Sequence, residues 1–357
     1  MTTTYRIALI PGDGVGREVI PAGLRVLNRA AEVTGAFTLT AHEFPWSCEF
    51  YQRTGLMMDR DALQQLADFD AIYLGAVGYP GVPDHVSLWG LLLPIRQGFE
   101  QYVNLRPIKL LPGLRGPLRD KGPADIDMLF IRENTEGEYA GHGGRLHPGA
   151  PDEVATQTAI FTRHGTERIV RYAFERARER GKRLASATKS NSFNYSMVFW
   201  DAVVNAVAGD YPDVEVRSYL VDALSARMIL NPESLDVVVA SNLFGDILTD
   251  LGGALQGSLG LPASGNINPE KRYPSMFEPV HGSAPDIAGQ NRANPMATVW
   301  AGVLMLDQLG QPEAARLVMA ALEQVVREGN TLTKDLGGSA GTREVTDAIV
   351  AAVGAAA

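Results

Sequence analysis

Short apolar runs alternate with amphipathic stretches along nearly the whole chain, and this pattern predicts an α/β protein. Strands are predicted at 5–10 (YRIALI), 71–74, 126–131, 183–187, 214–221 and 235–240. Helical spacing predicts helices over 167–179, 192–208, 244–255, 295–309 and 312–328. In the first of these, Ile169, Val170, Ala173, Phe174 and Ala177 share one face. The alanine-rich C-terminal end predicts a frayed tail. A stretch rich in glycine and proline, 141–151, precedes VATQTAIFT at 154–162, which alternates with a period of two. A loop followed by a strand set apart from the main sheet is expected there, either an arm clasping a second subunit or an ordinary surface hairpin.

Composition narrows the function classes. The chain has 357 residues, 45% apolar and 20% charged, which suits a globular protein of two domains. A net charge of −9 argues against a nucleic-acid groove, while leaving room for an anionic ligand held by a few arginines. The single cysteine, Cys48, excludes an intrachain disulfide and a cysteine-rich metal site. No apolar run reaches the ~18–20 residues needed to span a bilayer, so no membrane partner is expected. The opening MTTT leads into a strand without the basic and apolar regions of a secretory signal, so a cytoplasmic location is expected.

Candidate chemistry lies just past the buried strands. IDMLFI ends in Arg132, RLASAT leads to Lys189, EVRSYLV ends in Asp222, and LDVVVA leads through Ser241-Asn242 to Asp246. Ligands of open α/β sheets sit outside the carboxyl ends of strands. Any one such residue is ordinarily a helix cap or a solvated loop; four in succession, of complementary charge, favour a site. Asp246 and Asp250 stand four apart, placing both carboxylates on one helical face, with Leu243, Ile247, Leu248 and Leu251 on the other. Like charges at that spacing repel, so either a divalent ion with Asp222 as a third ligand or a plain acidic face is read there. Arg96, Arg106 and Arg132 offer planar forks for carboxylates, and Tyr139 follows Arg132 closely enough to share a pocket if the chain turns back.

The glycines of LIPGDGVGREVI pose a separate question. A dinucleotide fingerprint requires G-x-G-x-x-G, and Gly12 and Gly14 fit, but Arg17 stands where the third glycine belongs. The stretch therefore reads as a strand-to-helix turn of another kind.

Several long motifs, in order along nearly the whole chain, resemble the metal-dependent β-decarboxylating 2-hydroxyacid dehydrogenases, the isocitrate/isopropylmalate dehydrogenase family. They are IPGDGVGREV at the start, NLRP at 104–107, RENTEGEY at 132–139, TKSN at 188–191, SNLFGDILTDLGG at 241–253 and EPVHGSAPDIAGQNRANP at 278–295. The resemblance implies an isopropylmalate-dehydrogenase-like two-domain α/β fold with a non-Rossmann dinucleotide site. A large cofactor domain would comprise 1–102 and 258–357, and a central domain 103–257 would carry substrate, metal and a dimerisation arm near 141–162. It implies a homodimer with shared active sites, Lys189 and Asp222 reaching the partner's site while Asp246 and Asp250 serve their own.

By the same resemblance, the loop from His281 through Gly282, Ser283, Ala284, Asp286 and Ile287 cradles the adenosine half of NAD, with Asn294 near the adenine. Asp286 would bind ribose hydroxyls and repel a 2′-phosphate, favouring NAD over NADP, although Arg292 lies close by. Asp222, Asp246 and Asp250 would hold Mn²⁺ or Mg²⁺; a K⁺ requirement also occurs in the family, but no ligand pattern for it is visible. Arg96, Arg106 and Arg132 would hold the carboxylates of a small dicarboxylate 2-hydroxy acid. Lys189 would serve as base and Tyr139 as the proton donor to C3.

The segment before Arg96 faces the C3 substituent in this family. Here it reads DHVSLWGLLLPIR (84–96), without the E-T-G-L-L of isopropylmalate enzymes, and resembles the D-malate/tartrate branch. Ser87 and Trp89 would narrow the pocket, unless Leu88, Trp89 and Leu92 simply pack a helix. D-malate is the favoured substrate, with tartrate second and 3-isopropylmalate the rival. A non-catalytic nucleotide-binding subunit is disfavoured because the whole set of candidate residues is present.

Overall fold

The structure, a computed structural model, describes residues 2–355. Its strands are β1 (Thr3–Gly12), β2 (Phe37–Glu43), β3 (Ala71–Ala76), β4 (Val103–Lys109), β5 (Asp127–Glu133), β6 (Gly137–Leu146), β7 (Val154–Ile160), β8 (Arg183–Thr188), β9 (Glu215–Leu220), β10 (Val237–Ala240), β11 (Ala263–Ile267) and β12 (Ser275–Pro279). The chain forms two compact units. One contains the chain up to Gln101, Lys109–Pro123 and the chain from Gly253; the other contains Tyr102–Ile108 and Ala124–Gly252. Residues 109–123, expected in the central domain, thus pack with the chain ends.

In the terminal unit the strands run β2-β1-β3-β12-β11. β1 pairs in parallel with β2 and β3, β12 in parallel with β3, and β11 is antiparallel to β12. The centre of this sheet reads as continuous apolar sequence because both faces are covered: Ile7, Ala8, Ile10, Ile72, Tyr73 and Phe277 are fully enclosed. Burying an isoleucine or phenylalanine completely contributes about 1.5–3 kcal/mol. Helices Gly16–Thr34 and Met296–Gln308 pack against the sheet, and Pro312–Glu328 and Thr342–Ala355 pack on these helices and on each other. The alanine-rich end, expected to fray, is helical as far as Ala355, and the residues after it lie outside those described. Val345, Ile349 and Val353 recur at helical spacing and are buried against the helices Gly16–Thr34 and Pro312–Glu328, which holds the helix in place through Ala355.

In the central unit the order is β4-β5-β10-β8-β9, with β5, β10, β8 and β9 mutually parallel. Helices Arg163–Glu179, Ser196–Ala208, Val221–Leu230 and Asn242–Leu255 accompany them. The second begins four residues later than expected, because a turn on the Lys189 carbonyl, which accepts from Ser192 and Phe193, comes first. β6 and β7 form a separate antiparallel ribbon, the strand expected apart from the main sheet. The glycine-rich stretch before it is extended rather than looped as far as Leu146, and Gly143 lies opposite Gln157 with no space for a side chain against the Thr156 carbonyl. No helix among the described residues is long and apolar enough to cross a membrane.

Candidate active site

Within the central unit, the ends of β5 and β10 deliver an arginine and an aspartate to each other. Arg132, 3% exposed, places Nη1 2.5 Å from Asp246 Oδ1. Its Nε and Nη2 both donate to Asn242 Oδ1, at 3.1 and 2.7 Å. Arg106 from β4 donates to Thr249 Oγ1 at 2.6 Å and approaches Asp246 Oδ1 at 3.4 Å. Tyr139 completes the cluster: its hydroxyl donates to Asp246 Oδ2 at 3.1 Å, and the Arg132 guanidinium lies 5.6 Å from its ring centre.

The turn between β5 and β6 brings Tyr139 back. Glu133 is buried yet accepts from the amides of Thr135 and Glu136, while Glu136 accepts from the amide and hydroxyl of Thr162. Gly137, at φ +72°, makes the reversal possible. Asn242 ties this turn to the arginine by donating to the Glu136 carbonyl at 3.2 Å. Sequence reasoning passed over Asn242; its burial between Arg132 and the turn becomes visible only when β5 and β10 are paired.

Asp250 lies one helical turn beyond Asp246. Partial burial, and then the Asp246 carboxylate, raise its pKa above the ordinary value, while Arg106 and Arg132 oppose the shift. Tyr139 is raised by burial first and Asp246 second, so its phenol stays protonated at neutral pH. The other side of this helix is less uniform than expected: Leu248 is buried, but Ile247 is 58% exposed, because it points away from the sheet.

Lys189 and Asp222 form a different pair, Nζ to Oδ1 at 2.7 Å, and the ammonium holds the Asp222 carboxyl below its ordinary range. Among the described residues no three histidine, cysteine or acidic side chains gather to hold a metal within one chain. Asp222 therefore does not join Asp246 and Asp250 in a single subunit.

Arg96 belongs to the terminal unit. It is 6% exposed and bonds Glu278 Oε1 at 2.7 Å, an oxygen that also accepts from Asn266 at 2.7 Å. Upstream of it the chain forms a helix, Asp84–Ser87, then a π-helical turn, Leu88–Leu92. Ser87 is buried and its hydroxyl donates to the Asp84 carbonyl at 2.9 Å, while Trp89 is 41% exposed.

The terminal unit also contains a cleft of about 810 Å³, within the range of ligand sites. His281, Gly282, Ala284, Ile287 and Asn294 line it, while Ser283 and Asp286 do not. His281 is kept below its ordinary pKa by burial, and its buried Nε2 has no hydrogen-bond partner among the described residues. Asn294 is held by Asp335, which accepts from its Nδ2 at 2.9 Å. Arg292 and Lys334 add two cations to the lining.

The glycine-rich turn after β1 forms the support of this cleft. Val15 donates its amide to the Ser283 carbonyl at 2.8 Å and Asp13 donates to the Ala76 carbonyl at 2.7 Å. Gly14, at φ +53°, lies so close to Ser283 that a Cβ would collide with its carbonyl. These amides are spent on the protein itself, which is why the turn resembles a phosphate cradle without being one. Glu18, in the first turn of the following helix, accepts from the amides of Gly289 and Asn291 at 2.6 and 2.9 Å, pinning the far end of the loop.

A parallel α/β protein with an arginine–aspartate–tyrosine cluster past its strand ends, and a ligand cleft away from any G-x-G-x-x-G turn, defines a narrow class. The profile described as isocitrate/isopropylmalate dehydrogenase matches residues 6–349, and the chain belongs to that family. Dehydrogenases of this family generally use NAD and a divalent metal. The chain is 54% identical to the D-malate dehydrogenase [decarboxylating] of Escherichia coli (strain K12), with 98% of each chain covered. It is 49% identical to the tartrate dehydrogenase/decarboxylase of Pseudomonas putida, over 97% of each. Among solved structures, isocitrate dehydrogenase from Methylococcus capsulatus superposes with a TM-score of 0.87 at 33% identity, covering 98% of this chain and 99% of that one.

Proposed function

We propose that the protein is a NAD- and divalent-metal-dependent oxidative decarboxylase of D-malate, producing pyruvate and CO₂ and acting also on tartrate. The observation that carries this reading is the 54% identity to a D-malate dehydrogenase over 98% of both chains. The cluster of Arg106, Arg132, Tyr139 and Asp246 suits the same chemistry. The terminal unit would hold the dinucleotide and the central unit the metal and substrate.

The residues present fit both groups. Asp246 and Asp250 offer hard oxygen donors, and their mutual repulsion is what Mg²⁺ or Mn²⁺ would relieve. In the cleft, apolar Val15, Leu259, Ala284 and Ile287 stand beside His281 and Asn294, a lining suited to an adenine ring and its ribose. When bound, the metal would supply Lewis acidity and the dinucleotide an acceptor for the C2 hydride.

The chain's own residues do the rest. Arg106 and Arg132, already oriented by Thr249 and Asn242, bind the substrate carboxylates. Lys189, in its neutral amine form, takes the proton of the C2 hydroxyl, directly or through water. Once CO₂ has left, Tyr139 delivers a proton to C3, and its raised pKa keeps that proton available.

Lys189 and Asp222 act in this scheme from a second copy of the chain. Two observations support it: the pair stands apart from Asp246 within one subunit, and the central unit exposes Phe193 (53%), Tyr195 (85%) and Ile247. With D-malate, NAD and Mn²⁺, NADH and CO₂ are expected in equal amounts, and a chelator should stop both. NADH without CO₂, or turnover indifferent to chelation, would overturn the proposal.

A further inference from the structure

β10, β8 and β9 run parallel, and each leads at its carboxyl end to a residue discussed above: Asn242 and Asp246, Lys189, and Asp222. The opposite ends of the same strands open onto another cleft, of about 160 Å³. Arg183 begins β8, Glu215, Arg217 and Tyr219 alternate along one face of β9, Arg227 comes from the helix Val221–Leu230, and Ser234 precedes β10.

The charges here do not cancel. Arg217 takes Glu215, with Nε at 2.7 Å and Nη2 at 2.5 Å from the same oxygen. Asp236, also in the lining, is taken by Arg180 Nε at 2.8 Å and by the Gly181 amide at 2.7 Å. Arg183 and Arg227 have no carboxylate partner among the described residues. Both are instead tethered to one residue. Arg227 Nη1 donates to Ser234 Oγ at 2.8 Å, and Arg183 Nη1 donates to the Ser234 carbonyl at 3.4 Å. Ser234 is fixed in turn by donating to the Asn231 carbonyl, and the Arg227 guanidinium rests 5.0 Å from the Tyr219 ring centre. A guanidinium carries five N–H donors, so each arginine keeps donors to spare while its position is set.

We propose that this cleft binds a compact, doubly charged oxyanion, a phosphate or a small phosphate monoester, gripped by Arg183 and Arg227. Its volume equals that of about five water molecules at ~30 Å³ each, room for a phosphate with a short substituent. Fixed, convergent guanidinium groups suit phosphate oxygens, and the geometry places the anion at the far ends of the strands that carry the candidate catalytic groups.

Calorimetric titration of the full-length protein with inorganic phosphate at low ionic strength tests the proposal, with glycerol 3-phosphate as a second probe. The Arg183→Gln/Arg227→Gln protein should bind phosphate at least tenfold more weakly than the wild type, and Arg132→Gln should bind it normally. Tighter binding of glycerol 3-phosphate would point to a phosphorylated metabolite as the source, and equal or weaker binding to the free ion. Circular dichroism checks the fold of each variant. Should the double variant not fold, the exposed Arg183→Gln alone takes its place, with a drop of at least threefold expected. No phosphate binding by the wild type, binding unchanged in the cleft variants, or binding lost in Arg132→Gln would each overturn the proposal.

Discussion

Replacing Glu18 with alanine should weaken NAD binding without touching any residue that lines the cleft. The carboxylate accepts two backbone amides, at 2.6 Å from Gly289 and 2.9 Å from Asn291, and these tie the loop that follows His281 to the helix Gly16–Thr34. A hydrogen bond to a charged group contributes about 1.5–3 kcal/mol when sheltered, and the half-exposed setting here reduces each to about 1 kcal/mol. Losing both costs the ordered loop about 2 kcal/mol. If binding must restore that order, affinity falls by up to about 30-fold, since every 1.4 kcal/mol is tenfold. Glu18→Gln keeps one acceptor oxygen and should lose about fivefold. Calorimetric titration with NAD reads both numbers, and a thermal melt confirms that the variants are folded. NAD affinity within twofold of wild type in a folded Glu18→Ala protein would refute the argument that the helix positions the loop.

Further outcomes follow from the same geometry. Lys189→Ala and Asp246→Asn proteins should each be inactive, yet a one-to-one mixture allowed to exchange subunits should recover about one quarter of wild-type activity. Half the dimers would then be mixed and each would carry one intact site; a mixture no more active than its components would place both residues in one chain's site. His281 is buried neutral, so the folded state binds a proton less readily than the unfolded state. Its contribution to stability is fully present above the ordinary value of 6.5 and is lost as pH falls from there through the lowered folded value. Melting temperature between pH 8 and pH 5 should therefore fall less steeply for His281→Asn than for the wild type, and identical slopes would count against that assignment. Burial and the neighbouring Asp13 carboxylate push the Cys48 thiol up to about 12, so native protein at pH 8 should resist iodoacetamide, whereas unfolded protein reacts. Rapid alkylation of the native thiol, read by mass spectrometry, would contradict its burial.

Local pattern revealed what local pattern determines. β1, β3, β5, β8 and β10 are apolar runs that the sheet encloses, and the helices Arg163–Glu179 and Pro312–Glu328 keep an unbroken apolar stripe. β11, with its sequence ASGNI, carries no such signal, and it is a strand because β12 pairs with it. The C-terminal helix was obscured by alanines that only tertiary packing makes informative. Asp246 and Arg132 were noticeable because charge past a buried strand and an i, i+4 acidic pair are local features. Glu18 and Asn242 were not. Their partners lie more than a hundred residues away, and a glutamate in a helix's first turn is ordinary by itself.

NADH formation at 340 nm with saturating NAD and Mn²⁺, read as kcat/KM for D-malate, tartrate, 3-isopropylmalate and isocitrate, decides the substrate. D-malate should give the highest value, with tartrate turned over and the two bulkier acids at least tenfold poorer, about the discrimination that one pocket contact provides. A preference for 3-isopropylmalate or isocitrate would contradict the proposed function.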